Sequence, residues 1–348
     1  TYKSLQVITK GNANITVSSS LTYSTAGYFY FYSNGNLTLE NGVSITSSGT
    51  SQSIYLYADY NSDGIGTLSA GATLTLNAAS TGTIILQSAA NITLSTYLTG
   101  ATYNALTVTT TGTTANIAID VSISKAGALV FYSNNNIAIS NSVSLTAGPV
   151  QALYLYADND NSGVGTLSKG TSVTLSCGSL FIKSASDITT YVVDGSGWLD
   201  NATLYNVTVY TTANYAINIT ASYSKIGYLK FYAGGNLVLS NGITLTSGSG
   251  QSDILLYADN NEDGTGTLSK GATLTLNSGT SGTIHLHTAG NLTVSSAASG
   301  WLEGATFEAY NAYASGSLTL NVNMGTNKAV TLKADYDSTG GTDNLTIS

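Results

Sequence analysis

Three stretches of this chain place oxygen-bearing side chains at alternate positions ahead of a glycine: Asp59, Asn61 and Asp63 before Gly64; Asp158, Asp160 and Ser162 before Gly163; Asp259, Asn261 and Asp263 before Gly264. A hard cation that gathers roughly six to eight oxygen ligands needs donors spaced in this way and a residue that turns the chain sharply. A fourth, degenerate stretch offers Asp335 and Asp337, with Asp343 near enough in sequence to contribute. Ten of the 18 acidic residues fall in these four loops, so the acidity is concentrated instead of spread for solubility. Calcium is the expected ligand. The pattern is not the helical calcium hand, whose twelfth position is a bidentate glutamate; that position falls here on Ala70, Lys169 and Lys270. A carbonyl or a side chain from a neighbouring stretch would have to complete the shell. The competing reading is a plain Asp-Gly or Asn-Gly turn.

Other side chains could carry chemistry. His285 and His287 alternate with apolar Ile284 and Leu286, which puts both imidazoles on one face of a strand. They could ligate a transition metal, but the plainer expectation is an exposed pair. Tyrosines recur at outward places: Tyr28, Tyr30, Tyr55, Tyr57, Tyr154, Tyr156, Tyr228 and Tyr257. An apolar ring with a polar tip suits a contact surface or the face of a sugar, and stacking between neighbouring strands is the bland alternative. A glycoside hydrolase needs a pair of acids flanking one bond. Here the acids sit in repeated turns, and the lysines recur with the repeat (Lys125 with Lys225, Lys169 with Lys270). A catalytic centre is singular and these features are periodic, so the chain reads as a non-enzyme, with a polysaccharide-active enzyme the remote alternative.

The elements that position these residues repeat with them. Gly27, Gly127 and Gly227 correspond, as do Asn36, Asn136 and Asn236, Asn41, Asn141 and Asn241, and Gln52, Gln151 and Gln251. The expected division is into superrepeats 1–101, 102–202 and 203–305 with a truncated fourth at 306–348. Within each, apolar residues alternate with polar ones in short runs such as Phe29 and Phe31, Leu37 and Leu39, Val43 and Ile45, Ile54 and Leu56. A period of two means strands with one buried face. Gly, Asn and Ser interrupt the runs too often for a crossover helix, which leaves an all-β parallel solenoid whose coils bury their side chains on one another. A coil of roughly 20 residues would give 16 or 17 coils at about 4.8 Å each. A further recurring piece, Gly197-Trp198-Leu199 and Gly300-Trp301-Leu302 with Tyr97-Leu98 as an earlier version, is expected to cover a corner of the coil.

The unit Ser33-Asn34-Gly35-Asn36-Leu37-Thr38-Leu39-Glu40-Asn41-Gly42-Val43, with Gly235-Asn236-Leu237-Val238-Leu239-Ser240-Asn241-Gly242-Ile243, resembles the repeat of filamentous haemagglutinin-type bacterial surface proteins. The resemblance implies a single right-handed parallel β-helix, exported to the cell surface or beyond, and adhesive or structural. That family's amino-terminal secretion domain with its Asn-Pro motif has no counterpart here, since the one proline is Pro149.

Composition narrows the partners. A net charge of −8 with no arginine and only 8% charged residues argues against nucleic acid, which requires clustered cations to neutralise phosphates. No apolar run approaches the roughly 18 residues needed to cross a bilayer, so membrane insertion is not expected. One cysteine, Cys177, allows no internal disulfide. The chain starts and stops at internal phases of the repeat with no polar cap visible, so the favoured expectation is a subunit that adds to copies of itself, head-to-tail. An adhesin segment of a longer chain, binding glycans or a host surface, is the alternative.

Overall fold

The computed structural model describes residues 4–23, 27–47, 49, 52–248, 252–321, 328–334 and 343–347. It is all-β, a parallel β-solenoid with about 12 turns. Contacts group the chain into two compact units, Thr1–Gly178 and Ser179–Ser348.

In the first unit Leu5–Ile8, Phe29–Tyr32, Ile54–Tyr57, Thr83–Ser88, Ala105–Thr110, Leu129–Ser133 and Ala152–Tyr156 lie side by side in sequence order, every pair parallel. Two shorter strands complete a coil, as Leu37–Leu39 and Ser44–Ser47 do after Phe29–Tyr32. In the second unit Ala202–Thr211, Leu229–Tyr232, Ile254–Tyr257, Thr283–Thr288, Ala309–Ala314 and Ala329–Lys333 repeat the arrangement.

Register stacks like on like. Phe29, Ile54, Ile84, Leu106, Leu129 and Leu153 form one inner column of the first unit, each fully buried. The alternation seen in sequence is thus an inside–outside alternation, and each buried aliphatic or phenyl side chain contributes about 1.5–3 kcal/mol by leaving water.

The expected coil of about 20 residues is too short, and so the expected 16 or 17 coils are too many. Phe29 meets Ile54, Ile54 meets Ile84 and Ile84 meets Leu106, steps of 25, 30 and 22 residues. Each coil carries up to three strands with their corners, and the acidic loop lengthens the coil that holds it. One short helix, Leu94–Leu98, stands at the first corner piece. Tyr97 there is buried and donates its hydroxyl to the Leu68 carbonyl at 2.7 Å, while Trp198 and Trp301 are each 6% exposed.

One inward position breaks the apolar rule. Tyr310 sits between Ile284 and Val330 in the register of the second unit, fully buried, with a hydroxyl that meets no hydrogen-bond partner. An unpaired buried hydroxyl costs about 1–3 kcal/mol. Tyr310→Phe is therefore expected to stabilise the protein by about 1 kcal/mol, read as a higher urea midpoint at unchanged slope. A lower midpoint would mean that the hydroxyl has a partner.

Candidate functional site: the acidic loops and the outward columns

Strand Ile54–Tyr57 leads through buried Ala58 into Asp59, where the backbone turns left-handed. Asp59, Ser62 and Gly64 have φ of 56°, 58° and 83°; Asp158, Asn161 and Gly163 have 55°, 58° and 79°; Asp259, Glu262 and Gly264 have 60°, 57° and 80°. Three copies thus adopt one turn. Only glycine takes such a φ freely, which accounts for Gly64 and its counterparts.

In these three loops the leading aspartate is buried and clamps the turn. Gly64 N–H reaches both Asp59 carboxylate oxygens at 3.1 Å, and the Thr111 hydroxyl, two coils further on, donates to Oδ2. Gln87 Nε2 donates to the Asp59 carbonyl at 2.7 Å. Asp63 accepts from Asn61 Nδ2 at 2.7 Å and from Ile65 N–H at 3.1 Å. In the second loop Asp158 accepts from Gly163 N–H at 2.8 Å and from the Ser162 hydroxyl at 3.0 Å, and Asp160 accepts from Ser162 N–H at 3.2 Å. In the third, Asp259 accepts from Asp263 N–H at 3.0 Å and Gly264 N–H at 3.1 Å, and Asn261 Nδ2 donates to Asp263 at 2.8 Å. Asp335 and Asp337 lie outside the described residues; Asp343 is half-buried.

In the first and third loops two carboxyl groups adjoin. Burial pushes Asp59 above the usual carboxylate range, and its contact with Asp63 adds to this against the lowering effect of Thr111. Asn61 first, then Asp59 and the Ile65 N–H, hold Asp63 below that range. Asp259 and Asp263 behave alike: burial raises the former, and hydrogen bonds led by Thr265 lower the latter. In each pair one carboxyl is thus pushed up and its neighbour down. Two carboxylates and an amide meet in these loops; among the described residues no group of three His, Cys, Asp or Glu side chains is placed to hold a metal ion.

The pairs set a pH profile. A raised Asp59 favours the protonated fold, so stability from it is present below 3.8 and lost as pH rises through its folded value. A lowered Asp63 contributes stability above 3.8 that is lost as pH falls through its own value. In calcium-free buffer the melting temperature is expected to rise as the solution is made mildly acidic, peak, and then fall, and Asp59→Asn should flatten the rise. A melting temperature that only falls from pH 7 downward contradicts the raised Asp59.

The recurring asparagines join coil to coil. Asn36, Asn136 and Asn236 each accept with Oδ1 from the backbone N–H of Thr67, Thr166 and Thr267 at 2.9 Å. Asn41, Asn141 and Asn241 do the same for Thr73, Thr171 and Thr273. Each bond is worth about 1 kcal/mol.

The outward tyrosines form columns. In the first unit Tyr30 stacks on Tyr55 with ring centroids 4.5 Å apart, Tyr32 lies 5.1 Å from Tyr57 and Tyr132 lies 5.3 Å from Tyr156. Tyr28 flanks Tyr30 at 5.5 Å and Tyr154 flanks Tyr156 at 5.8 Å. In the second unit Tyr210, Tyr232, Tyr257 and His287 follow one another at 4.6, 5.1 and 5.3 Å, and Tyr228 carries Lys230 Nζ 4.3 Å from its ring centre. Burial, with neighbouring phenols, pushes Tyr32 up to about 12.

The histidines are not an exposed pair. His287 is 5% exposed, held between tyrosine rings with Nδ1 3.0 Å from the Ala258 carbonyl; Gln87, at the same strand position in the first unit, reaches the Asp59 carbonyl instead. His285 is half-buried, its Nδ1 3.2 Å from Asn311 Nδ2, and burial lowers its basicity. Sequence reasoning missed Gln87 and Thr111 altogether. The alignment of Gln87 with His287 was the one signal for the former; the latter gives none without the register.

Two surface grooves flank the corner pieces. One of about 580 Å³ is lined by Lys270, Trp301 and small hydroxyl residues, and one of about 480 Å³ by Thr73, Thr75, Ser95, Thr96 and Thr99 among others. Neither brings two titratable side chains together. No family model, curated protein or solved structure matches this chain.

Proposed function

We propose that the chain is a non-catalytic structural protein of the cell exterior, a subunit of a surface fibre or filament that adds copies of itself head-to-tail, with calcium in its acidic loops. One observation carries this reading: the recurring polar residues are spent on bonds between coils. Asn36, Asn41 and their counterparts clamp Thr N–H groups, and the leading aspartates close their own turns.

The resemblance of the Gly-Asn-Leu units to filamentous haemagglutinin-type repeats adds the expectation of export. Every coil in a parallel solenoid offers a row of N–H and C=O groups to the next, and an unmatched row invites a partner strand; a second copy supplies one, and repeated head-to-tail contact makes an open filament. Calcium suits the first and third loops because a divalent ion can neutralise two neighbouring carboxylates at once. The glycan-binding adhesin is the weaker alternative, since the ring faces on which a sugar would stack are turned toward neighbouring rings.

Electron microscopy over a concentration series, with and without calcium, tests the proposal. Filaments that lengthen with concentration are expected; dispersed single chains at the highest concentration with calcium present would overturn it.

A further inference from the structure

The tyrosine columns raise a question of chemistry apart from packing. Tyr30 and Tyr55 belong to adjacent coils, paired in register. Their rings are stacked 4.5 Å apart with 29° between planes. Rings stacked at this distance put carbons of one phenol beside carbons of the other. Tyr210 and Tyr232 are closer to parallel, 4.6 Å apart with 8° between planes, again on adjacent coils. All four rings are partly open to solvent, and exposed Tyr28 stands 5.5 Å from Tyr30.

We propose that the Tyr30–Tyr55 and Tyr210–Tyr232 pairs are sites of oxidative coupling to dityrosine, driven by a haem peroxidase and hydrogen peroxide. Each phenol gives up one electron and one proton from its hydroxyl, and the two radicals join through a new bond between ortho carbons. The hydrogens on those carbons move to the oxygens as aromaticity returns. Two hydrogen atoms leave the protein, the peroxide O–O bond breaks, and two waters form. The product is a covalent staple between neighbouring coils in a chain whose one cysteine, Cys177, is buried and free. The inference does not depend on filament formation.

The test treats dilute full-length protein with a peroxidase and hydrogen peroxide, then reads dityrosine fluorescence, intact mass and linked peptides. Links joining 30 to 55 and 210 to 232 are expected within single chains, each with loss of two hydrogen atoms and at a yield unchanged on tenfold dilution. Tyr55→Phe should abolish the first link and keep the second, and the stapled protein should melt at a higher temperature than the untreated one. Links confined to exposed tyrosines such as Tyr60, Tyr191 and Tyr205, links only between chains, or no loss of mass would overturn the proposal.

Discussion

Gly66→Ala is expected to destabilise the protein by about 3 kcal/mol or more, whereas Gly64→Ala, two residues away, should cost only about 1–2 kcal/mol. The two glycines serve different ends. A side chain at Gly64 would meet nothing within 4 Å, and its constraint is φ of +83° alone. A Cβ at Gly66 would fall 2.2 Å from the Asp59 nitrogen and 2.4 Å from the Gly35 carbonyl oxygen, so backbone presses on it from its own loop and from the coil before. Gly165 and Gly266 stand in the same vice, 2.2 and 2.3 Å from the Asp158 and Asp259 nitrogens. Denaturant midpoints for the six single variants check this: the second glycine of each loop should cost more than the first. Equal costs would mean that the loop can spread and that its tight seat on the coil below is not fixed.

Removing Asp59 is the second large effect. Asp59→Ala leaves the Gly64 N–H and the Thr111 hydroxyl without their acceptor, and hydrogen bonds to a charged group are worth about 1.5–3 kcal/mol. Calcium adds to this where it binds. An ion that binds only the native loop stabilises by about 2.7 kcal/mol at 100 times its Kd, so chelation should lower the melting temperature of the parent protein. Asp59→Ala should reduce that calcium-dependent shift and leave the part due to the third loop. The second loop has Ser162 where its counterparts have Asp63 and Asp263, and should contribute least. An unchanged melt on chelation, with no calcium found by elemental analysis, would return all these loops to ordinary turns.

The parallel solenoid was legible because its causes are local. Inward residues alternate with outward ones, as in the burial of Phe29 and Phe31 against half-open Tyr30 and Tyr32, and the asparagine clamps recur at fixed places because the corner they close recurs. Coil length was not legible. The same strand types are separated by corners of different length, and the acidic loop adds residues to one coil without disturbing its neighbours. The environment of the acidic site was hidden for a related reason. Thr111 touches Asp59 across 52 residues, a contact that exists only once the coils are in register. Tyr310 is a polar ring inside the column, and His287, read from sequence as exposed, is a buried imidazole that reaches the Ala258 carbonyl; residue type alone announced neither place.

The asparagine clamps and the tyrosine columns require residues some 22 to 32 positions apart to lie side by side. Thr38 and Ser69 are such a pair, partners in register with their hydroxyls 3.2 Å apart. Neighbouring positions on parallel strands fall within the Cα separation of about 4.4–6.8 Å that a disulfide accepts. The direct measurement is therefore oxidation of Thr38→Cys/Ser69→Cys with Cys177 replaced by serine, followed by mass spectrometry. Rapid formation of an intramolecular disulfide between positions 38 and 69 is expected. Thiols that stay reduced, or that bond only between chains, would contradict the stacking of coil on coil.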